Sequence, residues 1–200
     1  MTPTELLLPS SCETALLERF LKAEAMALWA VRSAKAKDVP PGVLSFLRRH
    51  EEEEAKHLKE FEMRLGVQSH VRERLPRMPN QWWALAVLLF GYETLGLEFA
   101  KLLVHVQPDL MPILYDELVH VEFFEREVRK LLQGGGPPAD GARGSAQAWW
   151  RRLPPTVDRY LEGEALEPFR PELKQRILAA VQQRFNQAGL QVGLLDPADA

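Results

Sequence analysis

Cysteine is almost missing from this chain: Cys12 is the only one in 200 residues. A single thiol excludes an internal disulfide framework and a thiolate cluster as the main metal site, and it fits a reducing, cytoplasmic setting. Long hydrophobic runs are missing as well. The longest uncharged stretch, Met78 to Tyr92, falls short of the roughly 20 apolar residues that cross a bilayer and includes Pro79, Asn80 and Gln81, so no membrane span is expected. The opening MTPTELLLPSS has neither a basic leader nor a sustained apolar segment, and does not read as a secretion signal. Nor is there an excess of charge of one sign. Lys and Arg total 25 against 28 Asp and Glu, a formal net charge of -3, which supplies no global field for nucleic acid or an anionic membrane. Arg151 and Arg152 beside tryptophans form one short basic cluster, too little to outweigh that balance. Finally, no segment has the β-branched alternation of a strand.

What is present is helical periodicity, in four long segments within residues 1–133. The first is expected near 11–37, with Ser10 capping and Glu13 returning the bond as in a capping box, and with Pro40 and Pro41 beyond its end. The second runs from 41 or 42 to 65 and stops at Gly66; the third spans 80–106 and closes before Pro108. The fourth covers 109–133 and stops at Gly134, Gly135 and Gly136. GGGPPADGARGSA, 134–146, has almost nothing apolar to bury and reads as a linker or surface loop. Residues 147–200 read as a helical extension, one short and one longer amphipathic helix, the longer one lining up Leu173, Ile177, Val181 and Phe185. This extension is expected to pack on the four helices or on a partner, with a frayed DPADA end.

Laid on a 3.6-residue period, each long helix has an apolar stripe interrupted by acid. Glu24 sits between Leu17, Phe20, Leu21 and Ala27, Leu28, Val31, whereas Glu18 falls with Lys22 on another face. In HEEEEAKHLKE, residues 50–60, Glu54 turns inward between Leu47 and Leu58 with His57 three residues on, while Glu52 and Glu53 can face water. Glu51 lies near the stripe but is explained by a solvated face paired with Lys56. His50 lies seven residues before His57 and is read as a surface or supporting residue, and His70 and His105 as surface residues. The third helix is apolar nearly all round. Glu93 shares a face with Ala86, Leu89, Gly96 and Ala100, while Glu98 has Lys101 three residues later as an outer pair. In the fourth, Glu117 interrupts Ile113, Leu114, Val121 and Phe124, with His120 three residues on. The aromatics Trp29, Trp82, Trp83, Tyr92 and Tyr115 are explained by packing.

The order is therefore repeated: a lone inward Glu, then Glu-x-x-His. Residues three apart on a helix are about 4.5 Å apart along the axis and about 60° around it, so such a Glu and His can converge on one ion. Four buried carboxylates repel one another in a low dielectric, and two divalent cations cancel their charge. Glu24, Glu54, His57, Glu93, Glu117 and His120 thus form a candidate ligand set for two metals, with oxygen and imidazole donors suited to iron or manganese.

On these residues, across 11–133, the chain resembles the ferritin-like di-iron carboxylate superfamily. The resemblance implies an all-α fold, an antiparallel four-helix bundle, with the C-terminal helices added. It implies two iron ions, or manganese at one or both positions, with Glu54 and Glu117 as bridging carboxylates. Asp116 or Glu53 would support the outer nitrogens of His57 and His120. The 24 residues from Glu93 to Glu117 are short for the superfamily, which leaves Glu98 as a substitute for Glu93. HLKEFEMRL and LFGYETLGLEFA are also similar to its quinone and tRNA hydroxylases.

The preferred expectation is an enzyme, a non-haem di-iron oxidase or monooxygenase. It would activate dioxygen or peroxide to oxidise or hydroxylate a small, apolar substrate, served by an unspecified electron donor. The extension and the aromatic third helix would frame the pocket. A second expectation is a ferritin- or rubrerythrin-like iron or peroxide handler, although Cys-x-x-Cys is missing. A third is a metal-free interaction module whose inward acids pair with arginines. A homodimer is left open.

Overall fold

The computed structural model describes residues 8–69 and 77–193; His70 and the DPADA end lie outside them. Among the described residues there are seven α-helices and no strand. The four long ones are α1 (Glu13–Lys35), α2 (Pro41–Leu65), α3 (Trp82–Val106) and α4 (Met111–Gly134), followed by α5 (Gly136–Trp150), α6 (Leu153–Tyr160) and α7 (Arg170–Gln187).

Their ends follow local chemistry. Pro41 occupies the first position of α2, where a missing N–H costs nothing, and Gly66 ends that helix at φ 65°, a left-handed turn that suits glycine. Ser10 does not cap α1 as expected. Ser10–Cys12 form a 3-10 turn that leads into the helix, and Glu13 instead accepts a hydrogen bond from the Gln107 side chain.

Packing joins α1 to α2 and α3, and α4 to α3 and α2. Lys37 reaches Asn80 at 2.8 Å, which places the end of α1 beside the entry to α3. At the other end Arg64 bonds Gln107 and Asp109, both at 2.6 Å, so the end of α2 meets the junction of α3 with α4. Each of the four helices therefore runs antiparallel to the neighbours on which it packs. α3, apolar all round, is central and also carries α5 and α7. The layer between helices is closed by Phe20 stacked on Phe61, with centroids 5.2 Å apart, and by Phe46 stacked on Phe123 at 3.6 Å.

The stretch expected to be a linker is the largest departure, because Gly136–Trp150 is helix α5. Its prolines sit in the first turn, and Ala139, Ala142 and Ala146 form a buried stripe. Small residues are used here for close approach. A Cβ on Gly141 would lie 2.3 Å from the Trp83 indole, and one on Gly91 would lie 2.4 Å from that of Trp149. Each of α3 and α5 thus sends a tryptophan onto a glycine of the other, and this docking, rather than intrinsic propensity, holds α5 helical. α7 buries Leu173, Ile177, Val181 and Phe185, the four residues aligned by periodicity, and packs on α3 and α6. The extension therefore packs on the four long helices. No helix among the described residues is long and apolar enough to cross a membrane.

Candidate metal centre

Midway along α1–α4, where four apolar stripes face one another, seven polar side chains meet. They form two groups: Glu24, Glu54, His57 and Glu117 in one, and His50, Glu54, Glu93 and His120 in the other. Within each group one donor atom per residue lies within 4.8 Å of every other. Glu54 belongs to both. All seven are between 0% and 4% exposed, where an ordinary carboxylate would lose several kcal/mol of hydration.

All six residues expected from the sequence are brought together, and one was missed. His50 is fully buried, with Nε2 2.9 Å from Glu54 and 3.4 Å from Glu93, not on the surface. Its signal was the four-residue spacing to Glu54, one helical turn, which stacks the two side chains on one face. Glu93 rather than Glu98 joins the cluster; Glu98 bonds Lys101 at 2.6 Å, away from it. Glu51 pairs across helices with Arg32 at 2.9 Å and with Lys35, rather than with Lys56. His105, Glu18, Glu52 and Tyr115 are exposed.

Two histidines are braced reciprocally. His57 of α2 has Nε2 3.1 Å from Asp116 of α4, and His120 of α4 has Nε2 3.0 Å from Glu53 of α2. In each helix the acid just before the inward Glu therefore supports the other helix's imidazole. With Nε2–H donated outward, Nδ1 is left as a bare lone pair facing the carboxylates, the tautomer a metal requires. The Nδ1 atoms of His57 and His120, with one oxygen each of Glu24 and Glu54, are buried without hydrogen-bond partners. Buried orphans are rare, and several of them facing one space are what a missing cation would leave. Gly96 contributes room, since a Cβ there would lie 3.1 Å from Glu117 Oε2. Every donor is oxygen or imidazole nitrogen. On burial, orphaned atoms and donor chemistry, the site fits metal ions.

The electrostatics of the metal-free chain point the same way. Burial, and then the charge on Glu54, push Glu24 and Glu117 well above the usual carboxylate range. Burial also works against ionising Glu54, but the imidazoles of His120 and His50 beside it hold it well below that range. Burial opposes charge on His120, and Glu53 and Glu54 overcome it, raising that imidazole well above its ordinary value. His50 is raised as well: burial works against its charged form, and the Glu93 charge together with the contacts to Glu54 and Glu93 outweighs it. Without cations, then, the centre holds protons. The only ion-pair partners of the four inward carboxylates among the described residues are histidines, so the expected pairing of inward acids with arginines is not what the chain forms.

A cavity of about 820 Å³ opens beside this centre, between α1, α3 and the α5–α6 corner, with Glu24, Glu93 and Glu117 in its wall. Comparison with family models, with curated proteins and with solved structures found no match to the chain.

Proposed function

We propose that this chain is a ferritin-like di-iron carboxylate oxidoreductase that oxidises or hydroxylates a small, largely apolar substrate. The observation that carries the reading is the cavity of about 820 Å³ with three of the clustered carboxylates in its wall, a volume within the range of small-molecule sites. A storage protein has no use for an apolar chamber of that size beside its metals. Two iron ions, or manganese at one or both positions, would supply reduction of dioxygen or peroxide when bound.

The chain's own residues would do the rest. Glu54 spans the two groups and would hold the ions together, with Glu24, His57 and Glu117 on one side and His50, Glu93 and His120 on the other. Asp116 and Glu53 keep two imidazoles in the ligating tautomer. Phe46 packs with its centroid 5.5 Å from that of His50 and 6.1 Å from that of His120, Phe124 lies 5.9 Å from His50, and the two exclude water on that side. On the other side Phe20, Leu95 and Phe99 give the chamber an apolar wall in which a substrate would lie against Glu24 and Glu117.

The test is reconstitution with ferrous iron under anaerobic conditions, followed by metal analysis and an oxygen electrode. The expected result is two irons per chain, and oxygen uptake that needs a reductant and rises with an apolar substrate. Many irons per chain in a hollow shell would replace this reading with storage. No bound iron or manganese would end it.

A further inference from the structure

We infer that the substrate is an amphipathic anion, with its apolar body lying in the chamber and its carboxylate or phosphate held by Arg151, Arg152 and Arg159. The inference rests on the di-metal reading for what happens at the chamber's floor, but its observations are separate. The charged side chains of the chamber wall fall into two sets. The acids, Glu24, Glu93 and Glu117, are buried; the arginines are exposed. The chamber is thus polarised along its depth, acid at the floor and guanidinium at the mouth, with apolar and aromatic wall between.

The fold concentrates these arginines at one corner. Arg151 and Arg152 fill the two-residue turn between α5 and α6, and Arg159 follows on α6. Trp149, one turn earlier, is fastened against Gly91 and stacked on Phe185 with centroids 5.0 Å apart, so the corner is anchored to α3 and α7. The guanidinium groups of Arg151 and Arg152 have no hydrogen-bond or ion-pair partner among the described residues, and that of Arg159 donates only to Thr156 Oγ1 at 3.0 Å. Nearby basic groups are used differently. Arg170 and Lys174 share Asp158, and Arg184 pairs with Glu125. Asp158 is committed to α7, and no acid pairs with Arg159 among the described residues.

Three unpaired guanidinium groups on one rim repel one another and have forked donors that match a carboxylate or phosphate. A ligand with such a group would relieve the repulsion, and its apolar remainder could displace water from the wall. Nucleic acid is the other polyanion to consider. The net charge of -3 and the enclosure of the site favour a small molecule, since a nucleic-acid surface needs a long basic track.

The test measures binding by calorimetry to the iron-loaded protein, and to the same chain with Arg151, Arg152 and Arg159 all changed to Gln. The probes are decanoate, decyl phosphate, the neutral decanamide, and a single-stranded RNA oligomer. Wild type is expected to bind at least one of the two anions about tenfold or more tighter than the amide, the scale of a hydrogen bond to a charged group, and to lose that margin in the triple variant and in high salt. Whether decanoate or decyl phosphate binds better identifies the head group. Ala148→Trp, which fills the chamber wall, should weaken anion and amide alike. Equal binding of anion and amide by wild type would overturn the inference, as would a margin that survives the triple variant, or arginine-dependent binding of RNA with none of decanoate or decyl phosphate. Metal content is measured on every sample. Two irons per chain without anion preference sinks this inference alone, whereas a chain that takes up no metal sinks the di-metal reading and leaves the anion measurement standing.

Discussion

The two halves of the candidate metal centre are built from the same parts in unequal numbers. One half has three carboxylates and one imidazole, Glu24, Glu54, Glu117 and His57; the other has two carboxylates and two imidazoles, Glu54, Glu93, His50 and His120. The difference comes from His50, whose ring lies 3.8 Å from that of His120. The first half borders the chamber through two of its carboxylates, the second only through Glu93. A harder, more acidic position thus faces the chamber, and a more nitrogen-rich one faces the Phe46–Phe124 side.

Substitutions can break this comparison in order of effect. Glu54→Ala should be the most damaging, because Glu54 is common to both groups: metal analysis after reconstitution is expected to find neither ion retained, while one full equivalent would deny the sharing. Next come His57→Ala and His120→Ala, each expected to lose the ion of its own half and keep the other. Iron K-edge spectra should then show fewer imidazole ligands in the His57-retaining half than in the half that keeps His50. His50→Ala should weaken the second ion without abolishing it, since His50, unlike His57 and His120, has no acid holding its outer nitrogen in the ligating tautomer. Removing the braces is milder still. Asp116→Asn and Glu53→Gln should lower affinity roughly 10- to 100-fold, the first in the His57 half and the second in the His120 half, as read by competition with a chelator. Glu52→Ala, on an exposed position, should change nothing.

A pH series sharpens the picture of the metal-free chain. Glu24 and Glu117 have folded values raised above the ordinary 4.5, and His50 and His120 above 6.5. A raised group binds more protons folded than unfolded, so its stabilisation is lost as pH rises through the folded value. Metal-free protein should therefore melt at progressively lower temperature as pH increases above about 4.5. The gain on adding metal should grow over the same range, because the ions replace those protons. Glu54, held low, works the other way only in acid. A melting temperature of the metal-free chain that climbs from pH 5 to pH 8 would contradict the assigned directions.

Legibility in the sequence was uneven, and the reason is range. The four long helices and their stops at Gly66 and Gly134 could be read from signals within a few residues. So could the inward turn of Glu24, Glu54, Glu93 and Glu117, because a helix's own period decides which face is apolar. The α5 helix could not: its glycines and prolines argue locally against order, and only the exchange of Trp83 and Trp149 for Gly141 and Gly91 overrides them. His50 was missed because it stands at the edge of a charged run, and only the neighbouring helices make that edge interior.

By itself, the amino-acid order determined an all-helical chain with acids at positions that must be buried. The tertiary structure alone decided which carboxylate both halves share and which acid braces which imidazole. It also decided that a third histidine enters and that three arginines gather at the mouth of a chamber. These are relations between helices far apart in the chain. They depend on the rotation each helix adopts against its neighbours, and packing sets that rotation, not local periodicity.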